Sequence, residues 1–343
     1  MDAVPVANNP VWESAATFSG RLHNAVLSAG AEIAAELRDV LPLRVANLVV
    51  IDDGGPGGPG DVFTAIAQRY CRFPVLRVDS LEVPAFVGSD TVAIALGQGA
   101  DSSTMADAVA AAASQGAQLL CLVDSSDLAV AGATAEANAV VRVVETVAPW
   151  TAPALAELLA PGLVLLEVIG ALPAARNWVL EATHELTAIT PRLIAEDGVA
   201  AATARSIGRT FPLFIGSGLL GEAAARSWKA CFNMTCRAPA FASTLGDAAT
   251  TELQGWGQHG DVTRQMFTAV VLRQEDEHPA VGVTVTKLLQ ELQEVTHAQV
   301  EVDAEGSQVF TQYLQLLLLG QLVALYRADQ EGLVPGPTTA YPL

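Results

Sequence analysis

Short, β-branched apolar runs recur along this chain, each closed by a glycine-bearing turn and followed by an amphipathic stretch. That pattern predicts strands alternating with helices. Residues 12 to 41 read as a long amphipathic helix that leads into VANLVVI, a run apolar but for Asn47, as suits a parallel strand buried on both faces. The turn IDDGGPGGPGD opens a helix, DVFTAIAQRY, and the strands FPVLRVD and TVAIAL follow. GQGADSST then leads into the helix MADAVAAAASQGA and the strand QLLCLVD. Alternation at this spacing over residues 46 to 145 predicts a doubly wound α/β domain, in which ligands bind at the carboxyl ends of the strands. Residues 150 to 205 read as helical, with PALAELLAPGLVLLEVIGAL as an apolar hairpin and a further helix around NWVLEATHELTAIT.

From Phe211 the alternation resumes: PLFIGSG as strand and turn, GEAAARSWKACFNM as helix, MFTAVVLRQ as strand, VGVTVTKLLQELQEV as helix, AQVEVDAEG as strand, and an apolar terminal helix. The expected organisation is an N-terminal α/β domain over 1–150, a helical connector over 151–205 and a C-terminal α/β domain over 206–343. Similar strand, turn and helix modules in the two halves suggest an internal duplication.

Composition narrows the partners. A length of 343 residues suits two compact units, and 51% hydrophobic against 16% charged residues suits a folded chain. A net charge of -19 repels nucleic acid and anionic membrane surfaces, so neither is expected as a partner. The most membrane-like stretch, Val309 to Tyr326, is interrupted by Gln312, Gln315 and Gln321, which fits a helix buried in a core or subunit interface better than a bilayer span. The start MDAVPVANNPVWES lacks the basic and apolar run of a signal peptide, so a cytoplasmic location is expected. Cys71, Cys121, Cys231 and Cys236 form no CxxC pair and read as reduced core thiols. No metal site and no cofactor are expected.

The segment LEVPAFVGSDTVAIALGQGADSSTMADAVAAAASQGAQLLCLV resembles the first sugar-isomerase (SIS) domain of the bifunctional phosphoglucose/phosphomannose isomerases, whose motif runs LPxFVGxDTLVIxVSYSGNTEET. A second anchor, GSGLLGEAAARSWKACFNMTCRAPAFASTLGDAATTELQGW, is similar to that family's RWKxQLNENAKxPAFxxxLPELNHNEIxGW. The resemblance spans essentially the whole chain. It implies an α/β protein of two SIS domains, each a doubly wound parallel sheet flanked by helices, forming a homodimer and binding a sugar phosphate or other carbohydrate derivative.

Carried over position by position, the resemblance also implies lost chemistry. The Glu of NENAK, associated with moving a proton between C1 and C2, falls on Met234, and the His of ELNHNE, associated with ring opening, falls on Thr250. A thioether has no usable proton affinity, and a hydroxyl titrates far from neutrality. The family's arginine should fall near Pro149 and Trp150, yet no arginine lies between Arg142 and Arg176; its C-terminal lysine has no counterpart before Leu343. The phosphate-binding SYSGNT loop becomes Gly97-Gln98-Gly99-Ala100-Asp101-Ser102, and the GMGGS turn becomes Asp52-Asp53-Gly54-Gly55-Pro56, with two carboxylates that repel a dianion unless they turn away or hold a cation.

The remaining candidates are Gly54, Gly55, Gly99, Ser102, Ser103, Thr104 and Ser217 as ligand-binding groups at the glycine turns and helix starts, and Glu252 and His259 as a relocated acid or base. GGPGGPG matches neither a Walker loop nor GxGxxG, and reads as a degenerate family turn or a surface loop. Asp52, Asp53 and Asp61 read as solvated loop acids, with a magnesium site as the sharper alternative. Arg226 and Lys229 read as packing residues, and the charge run ending in His278 as a solvated turn. Three functions are consistent with this pattern. The first is a catalytically degenerate SIS protein with a binding or regulatory role; the second is an isomerase with a relocated base; the third is a protein-interaction scaffold without ligand.

Overall fold

The computed structural model describes residues 10–41, 44–52, 55–78, 82–97, 103–123, 128–133, 139–143 and 153–335. It divides into two compact units: Phe18–Thr183, and Met1–Thr17 together with His184–Leu343. The division falls within one helix, α7 (Ala175–Leu193), inside the stretch expected as a connector.

The Phe18–Thr183 unit begins with α2 (Phe18–Val40), after the short α1 (Pro10–Ala16) of the other unit. It continues through β1 (Asn47–Asp52), α3 (Pro59–Tyr70), β2 (Val75–Val78), β3 (Thr91–Leu96), α4 (Ser103–Ser114), β4 (Gln118–Val123), α5 (Leu128–Ala133), β5 (Ala139–Val143) and α6 (Pro153–Val168) to the first part of α7 (Ala175–Leu193). Its strands are all parallel, in the order β2-β1-β3-β4-β5. Both faces are buried, as the unbroken apolar runs predict: Val49, Ile51, Ala93, Ala95, Leu119 and Cys121 face Met105, Val109 and Ala112 of α4. On the opposite face Gly162 of α6 lets that helix lie against Phe63 and Ile94, since a Cβ there would sit 2.7 Å from the Phe63 ring. α6 runs straight through Pro161 where the sequence suggested a hairpin. The reversal comes after it, at Gly170 and Ala174, both in the left-handed region.

The second unit holds α8 (Val199–Ile207), β6 (Phe211–Gly216), α9 (Gly218–Cys236), β7 (Phe241–Thr244), α10 (Leu245–Asp247), a π-helical turn over Ala248–Glu252, α11 (Leu253–Trp256), α12 (Gly260–Met266), β8 (Phe267–Arg273), α13 (Pro279–Leu292), β9 (Ala298–Asp303) and α14 (Val309–Gln330). Its sheet is also parallel, in the order β7-β6-β8-β9. Leu213, Ile215, Ala269 and Val271 pack against Val285, Leu288 and Leu292 of α13. The other face carries Phe214 edge-on to Trp228 and Phe232 of α9.

α14 is long and apolar enough to cross a membrane by length and composition, but 89% of its most apolar window is buried in the structure. It lies against α9 so closely that a Cβ on Gly320 would come 2.6 Å from the Trp228 ring, and Trp228 Nε1 donates to the Leu316 carbonyl at 2.7 Å. Two of its buried glutamines serve loop backbone: Gln312 accepts from the Glu275 amide and donates to the Gly306 carbonyl, and Gln315 accepts from the Glu305 amide. Gln321, buried on the same helix, has no hydrogen-bond partner for Nε2 among the described residues.

Candidate functional site

In a doubly wound sheet the ligand crevice opens at the carboxyl ends of the strands, where chain connections leave in opposite directions. In the Phe18–Thr183 unit that point lies between β1 and β3, which pair from Asn47–Thr91 to Asp52–Leu96. Asp52 ends β1 with a buried carboxylate, and Arg77 of the neighbouring β2 donates to its Oδ2 from Nε at 3.0 Å. The same carboxylate fills the space above the first turn of α3: a Cβ on Gly60 would lie 2.3 Å from Asp52 Cγ. A helix N-terminus favours an anion there, and here the anion is the protein's own. Asp52 is therefore no solvated loop acid; the cation that offsets it is Arg77.

The glycine-rich turn takes its shape from backbone needs. Gly55 and Gly57 have φ of +68 and +89, a region that favours glycine, and the Gly57 amide donates to Asp61 Oδ2 at 2.9 Å. Asp61 is buried, so it too differs from the solvated acid expected. Among the described residues no three His, Cys, Asp or Glu side chains gather as a metal site would require. Asp53, Gly54, Gly99 and Ser102 lie outside the described residues. Ser103 opens α4, and Thr104 beside it is exposed.

The second sheet repeats this wiring. Its crevice lies between β6 and β8, at Gly216–Ser217 and Arg273–Gln274. Ser217 is the N-cap residue of α9, yet its hydroxyl donates across the crevice to Glu277 Oε1 at 3.1 Å. The Gln274 amide donates to the same oxygen at 3.1 Å, and Arg273 Nε donates to Oε2 at 2.8 Å. Burial works to lower the Arg273 pKa, but its hydrogen bonds to Glu277 and Glu301 outweigh that and raise it. Glu277 thus belongs to the crevice, a correction to the solvated turn expected from its charge run; its neighbour His278 is exposed and N-caps α13, accepting from the Ala280 amide at Nδ1.

Met234 and Thr250, on which the resemblance sets that family's proton-transfer groups, sit on the same unit. Met234, near the end of α9, is 41% exposed. Thr250 lies in the π-helical turn, exposed, with its hydroxyl donating to the Gly246 carbonyl at 2.7 Å. π-Turns recur at functional sites, but this hydroxyl is turned back on its own helix. His259 is exposed at the start of α12, where its carbonyl accepts from Val262 and Thr263.

Glu252 is placed differently. It closes the π-helical turn beside a cleft of about 480 Å³ lined by Leu213, Lys229, Phe241, Ala242, Gly255, Trp256, Thr263 and Phe267. Phe241 and Phe267 are the first residues of β7 and β8, so the cleft opens at the amino end of these strands, away from the crevice. Phe267 packs edge-on to Trp256 at 5.2 Å and tilted against Phe241 at 5.8 Å. Glu252 Oε2 is buried without a hydrogen-bond partner among the described residues, a situation that typically costs about 1–3 kcal/mol. Lys229, expected as a packing residue, is exposed on the cleft wall.

Burial pushes Cys71 up to about 11 and Cys231 and Cys236 up to about 12, so these three are protonated thiols at neutral pH. Sequence reasoning missed Arg77, Glu277 and the aromatic cleft. A signal existed for the first: Arg77 is a lone charge in an otherwise apolar strand, and a parallel neighbour ending in Asp52 can offset it.

The two parallel-sheet units give the chain a fold like that of SIS-domain phosphosugar isomerases. Residues 196–340 match the bacterial phospho-glucose isomerase C-terminal SIS domain. Over 290 residues, 83% of this chain and 84% of its relative, the sequence is 21% identical to a bifunctional phosphoglucose/phosphomannose isomerase of Caldicellulosiruptor bescii, the family that the motifs resemble. The tagatose-6-phosphate ketose/aldose isomerase of Escherichia coli shares the fold at TM-score 0.71 and 14% identity, over 98% of this chain and 96% of that one. So does the C-terminal domain of glucosamine-fructose-6-phosphate aminotransferase from Francisella tularensis, at TM-score 0.66 and 14% identity, over 96% and 98%.

Proposed function

We propose that this chain is a catalytically degenerate SIS protein that binds a carbohydrate derivative in a regulatory role, as a cytoplasmic homodimer. The observation that carries this reading is the pairing of two losses. Met234 and Thr250 stand where the resembling family places its proton-transfer groups. Independently, Asp52 and Glu277 hold carboxylates at the two strand-end crevices, one on Arg77 and the other on Arg273 and Ser217. An aldose-ketose rearrangement needs a base near neutrality and a place for the phosphate, and neither need is met by these groups.

A coupled assay tests the reading directly. Purified protein should interconvert fructose 6-phosphate with glucose 6-phosphate or mannose 6-phosphate no faster than buffer, while a panel of sugars and sugar derivatives should contain at least one that raises its melting temperature. A second reading, an isomerase with Glu252 as relocated base, is favoured by the unpartnered buried oxygen of that residue in its cleft. Turnover abolished by Glu252→Gln would establish the second reading and end the first.

A further inference from the structure

We infer that the Glu252 cleft of the C-terminal domain is the sugar site of this protein, and that its ligand is an uncharged monosaccharide rather than a sugar phosphate. The inference rests on the carbohydrate-binding reading above and gives it a place and a substrate class. The volume of about 480 Å³ lies within the usual range for small-molecule sites and suits a single hexose with some water. Three aromatic rings, Phe241, Trp256 and Phe267, form an apolar wall, and Phe241 is 45% exposed. The C–H face of a pyranose ring packs on such a wall without needing hydrogen-bond partners from it.

The polar groups set the charge of the ligand. Glu252 lines the cleft and supplies an acceptor, Oε2, that lacks a donor among the described residues and that a sugar hydroxyl satisfies. Lys229 supplies donors at the wall, and the Thr263 hydroxyl lies along the same lining. One carboxylate and one ammonium make the cleft neutral as a whole. A phosphate ester would meet Glu252, an organic cation would meet Lys229, and neither would find a second compensating charge among the lining residues. A polyol offers donors and acceptors together and carries no charge to be desolvated. Phosphate is disfavoured at the strand-end crevices as well, where Asp52 and Glu277 stand on the cations.

The test is titration of the full chain with glucose, mannose and fructose, with the corresponding 6-phosphates, with inorganic phosphate and with phenylalanine as a zwitterion. Heat and tryptophan fluorescence report binding. At least one neutral sugar should bind, its 6-phosphate should bind at least tenfold more weakly, and phosphate should not compete. Glu252→Gln should weaken that sugar about tenfold or more, the loss of one charged hydrogen bond. Phe241→Ala, at a position 45% exposed, should weaken it severalfold, and Trp256→Phe should remove most of the fluorescence response while preserving heat. Sugar binding indifferent to both Glu252→Gln and Phe241→Ala would move the ligand elsewhere and overturn this inference while leaving the proposed function intact. Tighter binding of the 6-phosphate would overturn the claim of an uncharged ligand. Response to phenylalanine alone, or to nothing in the panel, would end this inference and the carbohydrate reading together.

Discussion

The two sheets share their central wiring, each with its second strand on one side of the first and its third on the other, yet they close their crevices by different means. In the Phe18–Thr183 unit the strand itself ends in the anion: Asp52 is buried, locked by Arg77 and fitted into the gap left by the missing side chain of Gly60. In the C-terminal unit the strand ends in Gly216, and the anion comes from across the crevice, from the half-buried Glu277. The first device is part of the core. The second rests on a loop, with a neutral hydroxyl, a backbone amide and an arginine that also holds Glu301 as its partners. One fold thus accommodates a structural and an exchangeable solution to the same electrostatic demand at a helix N-terminus.

The largest effect should come from Asp52→Asn, which keeps the shape against Gly60 but removes the carboxylate charge that Arg77 Nε donates to. Removing one member of a buried ion pair typically costs about 3–5 kcal/mol, visible as a large fall in urea midpoint. Adding Arg77→Met should recover part of it, because the buried guanidinium no longer has to be compensated; strict additivity of the two changes would refute the pairing. Next in size is Gly216→Ala. Its Cβ would sit 2.0 Å from the Gly221 carbonyl oxygen of α9, a backbone atom that cannot swing aside, so a cost of about 1–3 kcal/mol is expected from overpacking. A neutral result would mean that α9 can shift away from the strand, and the contrast with the rigid β1 end would dissolve.

Legibility from sequence followed the same divide. TVAIAL and QLLCLV are strands over the lengths their apolar runs suggest, because a parallel strand buried on both faces leaves no choice of residue type. β7 is short, with its first residue exposed and its second half-buried, so FAST carries no comparable pattern and went unseen. The π-helical turn over Ala248–Glu252 has no signature distinct from a helix. Site residues fared worst where they act through space. Glu277 looked like one acid in a charged run, and only tertiary contact aims it at Ser217. Phe241, Trp256 and Phe267 are spread over 27 positions of sequence, from 241 to 267, and no periodicity links them into one wall.

A smaller effect is expected from Glu277→Ala. The loss of its hydrogen bonds should lower stability by about 1 kcal/mol, less than Asp52→Asn because water reaches the vacated groups. With the carboxylate gone, the Ser217 hydroxyl, the Gln274 amide and Arg273 face an open crevice, so inorganic phosphate should raise the melting temperature of this variant more than that of the parent chain. Equal shifts would show that Glu277 does not occupy an anion position, and the likeness of the two crevices would reduce to their wiring.

The smallest effect sets the scale for the others. Glu167, at the end of α6, accepts from the Arg176 amide at 2.9 Å and from Arg176 Nε at 2.7 Å, an ion pair at no strand end and partly open to water. Burial tends to raise the Glu167 pKa, but the hydrogen bonds and charge of Arg176 outweigh it and hold the carboxyl below its usual range. A carboxyl whose pKa is lowered on folding contributes stability above its unfolded value of about 4.3, and loses it as the pH falls through the folded value. Glu167→Gln should therefore destabilise at neutral pH by no more than about 1 kcal/mol, the discount proper to a screened pair, with the difference from the parent closing below the unfolded value. Urea midpoints at pH 7 and pH 3 measure it. A loss at pH 7 as large as that of Asp52→Asn would mean that any arginine-carboxylate pair in this fold carries such weight, and the special standing of the β1 end would be lost.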